Sequence, residues 1–292
     1  MRILFLGKFV RTHDEEYIAQ GFENIGHTVI RMNQSAYWKD IDDAIVAHSP
    51  DILLFCKWET PPEFKTALEA HRRKGLKTVC WVFDLYFGYV REYQIPIKSF
   101  FKADYVFTTD GGHQKEFEKH GINHQLVRQG IRTEECFIQP GDPRGVVFVG
   151  TDSGVNNYRV EMIGSVKQYI KDLRWIGRGN DQEMRGTDLN ELYGNTKIVL
   201  GDSFYSPHYW SNRVVETLGR GGFLIHPEVE GLKEEYPHIV TYRRGDWNHL
   251  KNLVVYYMNN EAERLELVRK NHEWVKNNYT IEKKCAELIA KL

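Results

Sequence analysis

The sequence has few cysteines and no long apolar run, and both absences narrow the class of protein. The four cysteines (Cys56, Cys80, Cys136 and Cys285) include no C-x-x-C pair, a pattern that favours reduced and mostly buried thiols over a disulfide framework. No stretch approaches the roughly 20 apolar residues that a membrane-spanning helix requires. The amino terminus, MRILFLGKF, resembles a strand more than a signal peptide. We therefore expect a cytoplasmic protein.

Net charge is also nearly absent. Lysine and arginine number 39, and aspartate and glutamate number 40, so no global field draws the chain to nucleic acid or to an anionic membrane. One local basic strip, HRRKG at 71–75 followed by Lys77, fits the solvated end of a helix better than a binding patch. The 292 residues are 41% hydrophobic and 27% charged, which predicts a packed globular protein of one large or two ordinary domains.

Short apolar runs alternate with amphipathic helical patterns along most of the chain. This alternation implies α/β architecture, with mostly parallel sheets covered on both faces. The strongest interruption is IQPGDPRG (138–145), which holds two prolines and two glycines. The sequence thus predicts a first half at 1–141 and a second at 142–272. Residues 273–292 are predicted to form a helix that returns to the first half.

The segment YWSNRVVETLGRGG (209–222) predicts a helix whose opening turns are unusually polar. If Ser211 or Asn212 caps it, its free backbone N–H groups would form a site suited to a diphosphate. Arg213 could add charge-assisted hydrogen bonds, and Glu216 could accept two hydrogen bonds from a ribose diol. Periodicity alone does not distinguish this ligand site from a solvated ion pair between Arg213 and Glu216 on the surface of the helix.

Several motifs, weak alone, occur together in a familiar order. In the second half these are RGVVFVG, LRWIGRGN, LNELYGNTKIVLGDS and VVETLGRGGFLI; in the first half they are GFENIGHTVIRMN, FFKADYVFTTD and VRQGIRTEECFIQP. Nearly the whole chain resembles a GT-B glycosyltransferase of the "glycosyl transferases group 1" superfamily. SNRVVETLGRGGFLI is most similar to the compact bacterial spore-maturation-type members. The resemblance implies two Rossmann-like domains facing across a cleft, with the acceptor on the first and the nucleotide sugar on the second.

The resemblance assigns roles to residues of the second half. Glu216 matches the family's ribose-binding glutamate. Eight positions earlier, where retaining members carry a second glutamate, this chain has His208, and this departure puts the retaining mechanism in question. His208 could contact the donor sugar or phosphate, or it could be a loop residue after Pro207 with no ligand contact.

Diphosphate-binding cations of the family follow the strand at 146–150. This chain has Thr151 at the first position and Arg159 as the nearest cation, which could equally be a surface charge. Gly150 and Thr151 would form the loop nearest the donor, and Arg178 would lie near the base.

In the first half, the family's catalytic-region histidine aligns with Phe83. Asp84, which follows it at the end of a strand, becomes a candidate for acid/base work or for orienting the acceptor hydroxyl. Asp110, at the end of the next strand, is a second candidate. Either carboxylate could instead cap a helix.

The implied function is transfer of a sugar from a nucleotide-diphosphate sugar, with UDP-sugars favoured, to a hydroxyl acceptor. No metal or other cofactor is expected, because arginines and the helix terminus would stabilise the departing diphosphate. The acceptor could be a glycan, a small molecule or a protein hydroxyl, and the charge balance argues against a hydroxylated DNA base. The alternatives are a sugar-nucleotide epimerase or hydrolase and a non-catalytic nucleotide-binding module. An oxidoreductase is disfavoured, because no G-x-G-x-x-G follows the first strand of either half.

Overall fold

The computed structural model describes residues 1–10, 13–151, 157–177 and 184–292. Within these ranges the chain divides into two compact units. The first unit comprises Met1–Gln129 together with Ile281–Leu292, and the second comprises Gly130–Thr280. The division falls after Gln129, so the proline- and glycine-rich segment at 138–145 lies inside the second unit. Among the described residues, no helix combines the length and apolar character needed to cross a bilayer.

The first unit is built on a six-stranded sheet. Its strands are β1 (Arg2–Gly7), β2 (Thr28–Asn33), β3 (Ile52–Phe55), β4 (Lys77–Val82), β5 (Tyr105–Thr108) and β6 (His124–Leu126). The helices between them are α1 (Asp14–Asn24), α2 (Trp38–His48), α3 (Lys65–Arg73) and α4 (Gln114–Lys119). All neighbouring strands are parallel, in the order β2-β1-β3-β4-β5-β6. All four residues of β3, ILLF, are buried. A strand that is covered on both faces has apolar residues at every position and not at alternate ones, which explains this run.

The second unit is built on a five-stranded sheet. Its strands are β7 (Arg144–Val149), β8 (Arg174–Ile176), β9 (Thr196–Leu200), β10 (Leu224–Pro227) and β11 (Val240–Tyr242). Its helices are α5 (Asn157–Lys167), α6 (Thr187–Gly194), α7 (Arg213–Gly219), α8 (Leu232–Glu235), α9 (Trp247–Asn259) and α10 (Glu261–Asn278). The strands are parallel in the order β11-β10-β9-β7-β8. Counted from the first strand of each sheet, the order is 2-1-3-4-5-6 in the first unit and 2-1-3-4-5 in the second. In both sheets this order places a topological switch point beside the first strand.

The carboxy-terminal segment is not the single helix predicted for 273–292. Helix α10 ends at Asn278, and α11 (Ile281–Ala290) begins after a two-residue break. At the break, the backbone N–H of Ile131 donates to the carbonyl of Tyr279 at 2.9 Å, and Ile131 forms an isolated parallel bridge with Thr280. Helix α11 belongs to the first unit, where Cys285 packs so closely that a Cβ added at Gly21 of α1 would lie 3.0 Å from its sulfur.

Candidate active site

The switch point of the second unit carries a buried carboxylate between two arginines. Asp202 follows β9 and is fully buried. Nε of Arg159, on α5, donates to its Oδ2 at 2.8 Å, and a terminal nitrogen of Arg213, at the start of α7, donates to its Oδ1 at 2.6 Å. Burial by itself would raise the pKa of Asp202, but Arg213 and Arg159 outweigh that effect and hold it below its ordinary value. The three side chains therefore carry one net positive charge at the carboxyl edge of the sheet.

Both arginines are further held by the strand beneath them. Their guanidinium carbons lie 5.1 Å (Arg159) and 5.0 Å (Arg213) from the ring centroid of Phe148 on β7. Nε of Arg213 also donates to the carbonyl of Val149 at 2.8 Å. Gly150 comes next, and a Cβ there would lie 2.7 Å from a terminal nitrogen of Arg213. The glycine thus allows the guanidinium to approach the backbone closely.

The opening turn of α7 differs from the expected capping. The helix begins at Arg213 with Asn212 as its N-cap residue, and the Asn212 side chain makes no capping hydrogen bond. The Ser211 hydroxyl instead donates to the backbone carbonyl of Asp202 at 3.3 Å. Asn212 thus occupies the N-cap position that the sequence offered to it or to Ser211, but it does so without a side-chain hydrogen bond.

Glu216 does not pair with Arg213 in the surface ion pair that periodicity allowed. It pairs with Arg220 one turn later, and Arg220 also pairs with Glu135. The side chains of Arg220 and Glu135 are 2% and 5% exposed, whereas Glu216 is 22% exposed. Burial would lower the pKa of Arg220, but the two carboxylates outweigh it and raise that pKa. Glu216 is thus a carboxylate fixed by a buried guanidinium at the edge of solvent.

His208 lies in the loop between β9 and α7 and has a left-handed backbone with a φ of 51°. Its Nε2 is 3.3 Å from a carboxylate oxygen of Glu230, and a Cβ at Gly231 would lie 2.2 Å from its Nδ1. The imidazole therefore rests against the loop that follows β10. Thr151 is exposed, and its carbonyl accepts a hydrogen bond from Arg159. Arg178 lies outside the described residues.

In the first unit, Asp84 follows β4 and is bound by two cations. Lys57, after β3, forms one ion pair, and a terminal nitrogen of Arg91 lies 2.8 Å from its Oδ1. Burial would raise the pKa of Asp84, but the two cations outweigh it and lower that pKa. At neutral pH Asp84 is therefore an ionised hydrogen-bond acceptor, with a side chain 33% exposed.

Asp110 follows β5 and is 1% exposed. Its Oδ1 accepts the backbone N–H of Gly112 at 3.0 Å, and both carboxylate oxygens lie 3.0 Å from Nδ1 of His113. Burial raises the pKa of Asp110, and the pairing with His113 offsets part of this rise.

Sequence reasoning missed several partners of the residues it selected. Asp202 could have been found from the sequence, because it is an acidic residue at the end of a predicted strand. The same criterion contributed to the choice of Asp84. Glu135 and Arg220 stand 85 positions apart and have no local pattern that links them. Among the described residues, no group of three or more His, Cys, Asp or Glu side chains forms a potential metal site.

Comparison with known structures shows which fold this is. Alr3699/HepE from Anabaena, in complex with UDP and glucose, matches at a TM-score of 0.69 and 13% identity over 100% of both chains. Sucrose-phosphate synthase from Thermosynechococcus elongatus matches at 0.65 and 11% identity over 99% of this chain and 98% of the other. An E. coli structure of trehalose-6-phosphate bound with UDP-2-fluoro glucose matches at 0.66 and 7% identity over 100% and 98%. These are similarities to GT-B proteins, so the fold is GT-B.

The family match adds the activity class. Residues 151–290 match the family model described as glycosyl transferase-like. No curated protein sequence matches the chain. The carboxy-terminal part of the chain therefore matches a glycosyl transferase-like family, and the whole chain has the GT-B fold, both as the sequence motifs predicted.

Proposed function

We propose that the protein transfers a sugar from a UDP-sugar bound by the second unit to a hydroxyl acceptor. The observation that carries the proposal is the arrangement on α7, where Arg213 and Glu216 occupy consecutive turns at the carboxyl edge of the sheet. Arg213 is one of two guanidinium groups that pair with Asp202, and Glu216 is a carboxylate held by Arg220. A cation beside an ordered carboxylate suits a diphosphate joined to a ribose. UDP in the HepE structure and UDP-2-fluoro glucose in the E. coli structure support the choice of nucleotide.

The diphosphate is assigned to the Asp202 cluster. Arg159 and Arg213 supply its positive charge, and the backbone of Gly150, Thr151, Ser211 and Asn212 borders it. Two guanidinium groups held by Asp202 in fixed positions can stabilise the charge that develops on the leaving diphosphate. We therefore propose transfer without a bound metal.

The remaining donor contacts follow from position along the chain. Glu216 would accept hydrogen bonds from the ribose hydroxyls. His208, held against the loop after β10, would contact the donor sugar or its phosphate.

The acceptor side is assigned to the first unit. Asp84, ionised by its two cations, would orient the acceptor hydroxyl by accepting its hydrogen bond, and Asp110 would be the second candidate for acid/base work. The acceptor is a glycan, a small molecule or a protein hydroxyl, since the near-zero net charge disfavours DNA. None of the four cysteines, all of which are among the described residues, forms a disulfide, and this supports a reducing, cytoplasmic location.

The test of the donor site is the Glu216→Ala variant, measured by calorimetric titration with UDP in EDTA. We expect the Kd to rise about 10- to 100-fold, because hydrogen bonds to a charged group contribute roughly 1.5–3 kcal/mol. A second titration uses 2′,3′-dideoxyuridine diphosphate, which lacks the ribose hydroxyls. The variant should bind this analogue about as well as the unmodified protein does.

The matched control is Glu266→Ala, which removes the acid of another i,i+4 pair, with Lys270, on the exposed face of α10. It should leave the UDP affinity unchanged. Equal weakening of UDP and of the dideoxy analogue by Glu216→Ala would show that Glu216 acts by holding Arg220. An unchanged UDP affinity would refute the donor site.

A further inference from the structure

The second unit has an open groove at the carboxyl ends of β10 and β11. Its volume is about 450 Å³, which is the size of a small-molecule site. The loop that follows β10 lines one part of it, and Thr241 of β11 and Arg244 just after β11 line another. Tyr205, from the loop between β9 and α7, completes the lining. Among the described residues that line the groove, none belongs to the Asp202 cluster.

Arg244 gives the groove a cation in a fixed position. Its guanidinium carbon lies 4.0 Å from the ring centroid of Tyr158, and one terminal nitrogen donates to the carbonyl of Ser203 at 3.1 Å. Unlike the two arginines that pair with Asp202, Arg244 forms no ion pair with a described carboxylate. Its other terminal nitrogen and the hydroxyl of Thr241 are buried and make no hydrogen bond to a described residue. Buried polar groups are nearly always hydrogen-bonded, so this part of the groove has unused capacity for a polar ligand.

Tyr205 supplies an aromatic surface beside that cation. The residue is 64% exposed, and its ring centroid lies 5.5 Å from the guanidinium carbon of Arg244. The face of an aromatic ring is electron-rich, and the C–H groups of a sugar ring carry partial positive charge. A pyranose ring can therefore pack flat on Tyr205 while its hydroxyl groups reach the polar side chains of the groove.

The charged side chains of the groove suit a ligand rich in hydroxyl groups. Among the described lining residues, three are acidic and two are basic, namely Glu228, Glu230, Glu234, Lys233 and Arg244. Carboxylates accept hydrogen bonds, and lysine and arginine donate them, so both partners of a sugar hydroxyl are present. Because the two signs nearly balance, the groove favours a neutral saccharide over a strongly charged one.

We propose that this groove is a binding site for a neutral saccharide, separate from the donor site, with a sugar ring stacked on Tyr205. The strand order supports a separate site, because β9, which leads to Asp202, lies between β7 and β10. The groove is thus on the far side of β9 from the strand that holds the arginines of the Asp202 cluster. Such a site would keep the protein attached to a glycan whether or not a nucleotide is bound, and it does not depend on the proposed transferase function.

The test uses the full chain and four neutral trisaccharides: maltotriose, cellotriose, mannotriose and triacetylchitotriose. Binding is measured by saturation-transfer difference NMR and by NMR titration. At least one trisaccharide should bind with a Kd of about 1 mM or lower, and saturating UDP should not displace it. Trigalacturonic acid, which is acidic, should bind more weakly than the best neutral trisaccharide.

Tyr205→Ala should weaken binding of the best trisaccharide at least about fivefold, because the stacking surface is lost. Tyr205→Phe keeps the ring and should bind within about twofold of the unmodified protein. The matched control is Tyr256→Ala, because Tyr256 is another exposed tyrosine of the second unit, on α9 and away from the groove. It should leave saccharide binding unchanged, and all three variants should keep the Kd for UDP.

Four results would overturn the saccharide site. The first is that none of the four trisaccharides binds. The second is that Tyr205→Ala binds the best trisaccharide as well as the unmodified protein does, which would place the ligand elsewhere. The third is displacement of the trisaccharide by UDP, which would make the groove part of the donor site. The fourth is tighter binding of trigalacturonic acid, which would assign the groove to an acidic ligand.

Discussion

The two units share a strand order but use carboxylates at their strand ends differently. In the first unit, Asp84 pairs with Lys57 and Arg91 where all three side chains are between one-third and one-half exposed. In the second unit, Asp202 is fully buried between Arg159 and Arg213, which are 12% and 17% exposed. Topology places a carboxylate at an equivalent kind of position in each sheet, and burial decides what it contributes.

The physical difference is desolvation. Exposed ion pairs contribute about 0–1 kcal/mol because water solvates both partners and salt screens them. A buried charge that loses its partner is not solvated by water, so breaking a buried ion pair reduces the stability of the protein much more. We infer that the Asp202 ion pairs contribute to the stability of the second unit as well as to donor binding. The Asp84 ion pairs contribute little to the stability of the first unit, so these side chains can instead contact the substrate.

The largest effect is expected for Asp202→Ala. Both guanidinium groups would then lose this buried carboxylate, and the free energy of unfolding should fall by about 3–5 kcal/mol. Urea denaturation measures this change, with Asp84→Ala as the control from the first unit. A loss under 1 kcal/mol for Asp202→Ala would erase the difference between the units.

An intermediate effect is expected on acidification, which should act on both units alike. Each holds one buried histidine, His124 on β6 and His226 on β10, and burial lowers the pKa of each to about 4. The unfolded chain binds a proton at these sites below about pH 6.5, while the folded chain stays neutral down to about pH 4. This contribution is complete above pH 6.5 and is lost as the pH falls.

At pH 5 each histidine should therefore cost about 2 kcal/mol of folding free energy relative to pH 7. Urea denaturation at the two pH values tests this. His124→Gln and His226→Gln should each reduce the pH dependence, whereas His48→Gln, on an exposed face of α2, should not. A dependence unchanged in both buried variants would contradict the assignment.

The smallest stability effect is expected for Asp84→Asn. Because the pair with Lys57 and Arg91 is partly solvated, unfolding should change by less than about 1 kcal/mol. The functional effect should be a raised acceptor KM with an unchanged Kd for UDP, since the acceptor hydroxyl loses a charged partner. Steady-state kinetics with the acceptor varied measures it, with Asp84→Glu as the conservative control. A weakened UDP affinity instead would move Asp84 to the donor side.

The sequence predicted most of the fold because its signals are local. Runs such as ILLF in β3 have apolar side chains on both faces of the strand, so both faces must be buried. These runs alternate along the chain with amphipathic helices. The prediction failed at the carboxy-terminal helix. Helical periodicity continues across Tyr279 and Thr280, and the break between α10 and α11 is fixed by backbone contacts to Ile131, almost 150 positions earlier.

For the candidate site, the sequence identified residues such as Arg213 and Glu216, but it did not predict which side chains form ion pairs with them. Arg213 and Glu216 were chosen from their spacing on one helix, but spacing favoured equally an ion pair between them. The structure instead gives Arg213 to Asp202 and Glu216 to Arg220.

By itself the sequence determined the alternation of strands and helices, and through its motifs the class of enzyme, since these depend on residues close together along the chain. Only the tertiary structure decided which charges meet. Asp202 and Arg220 are buried, so each needs an opposite charge beside it in the folded structure. That neighbour can be far away along the chain, as Glu135 is from Arg220.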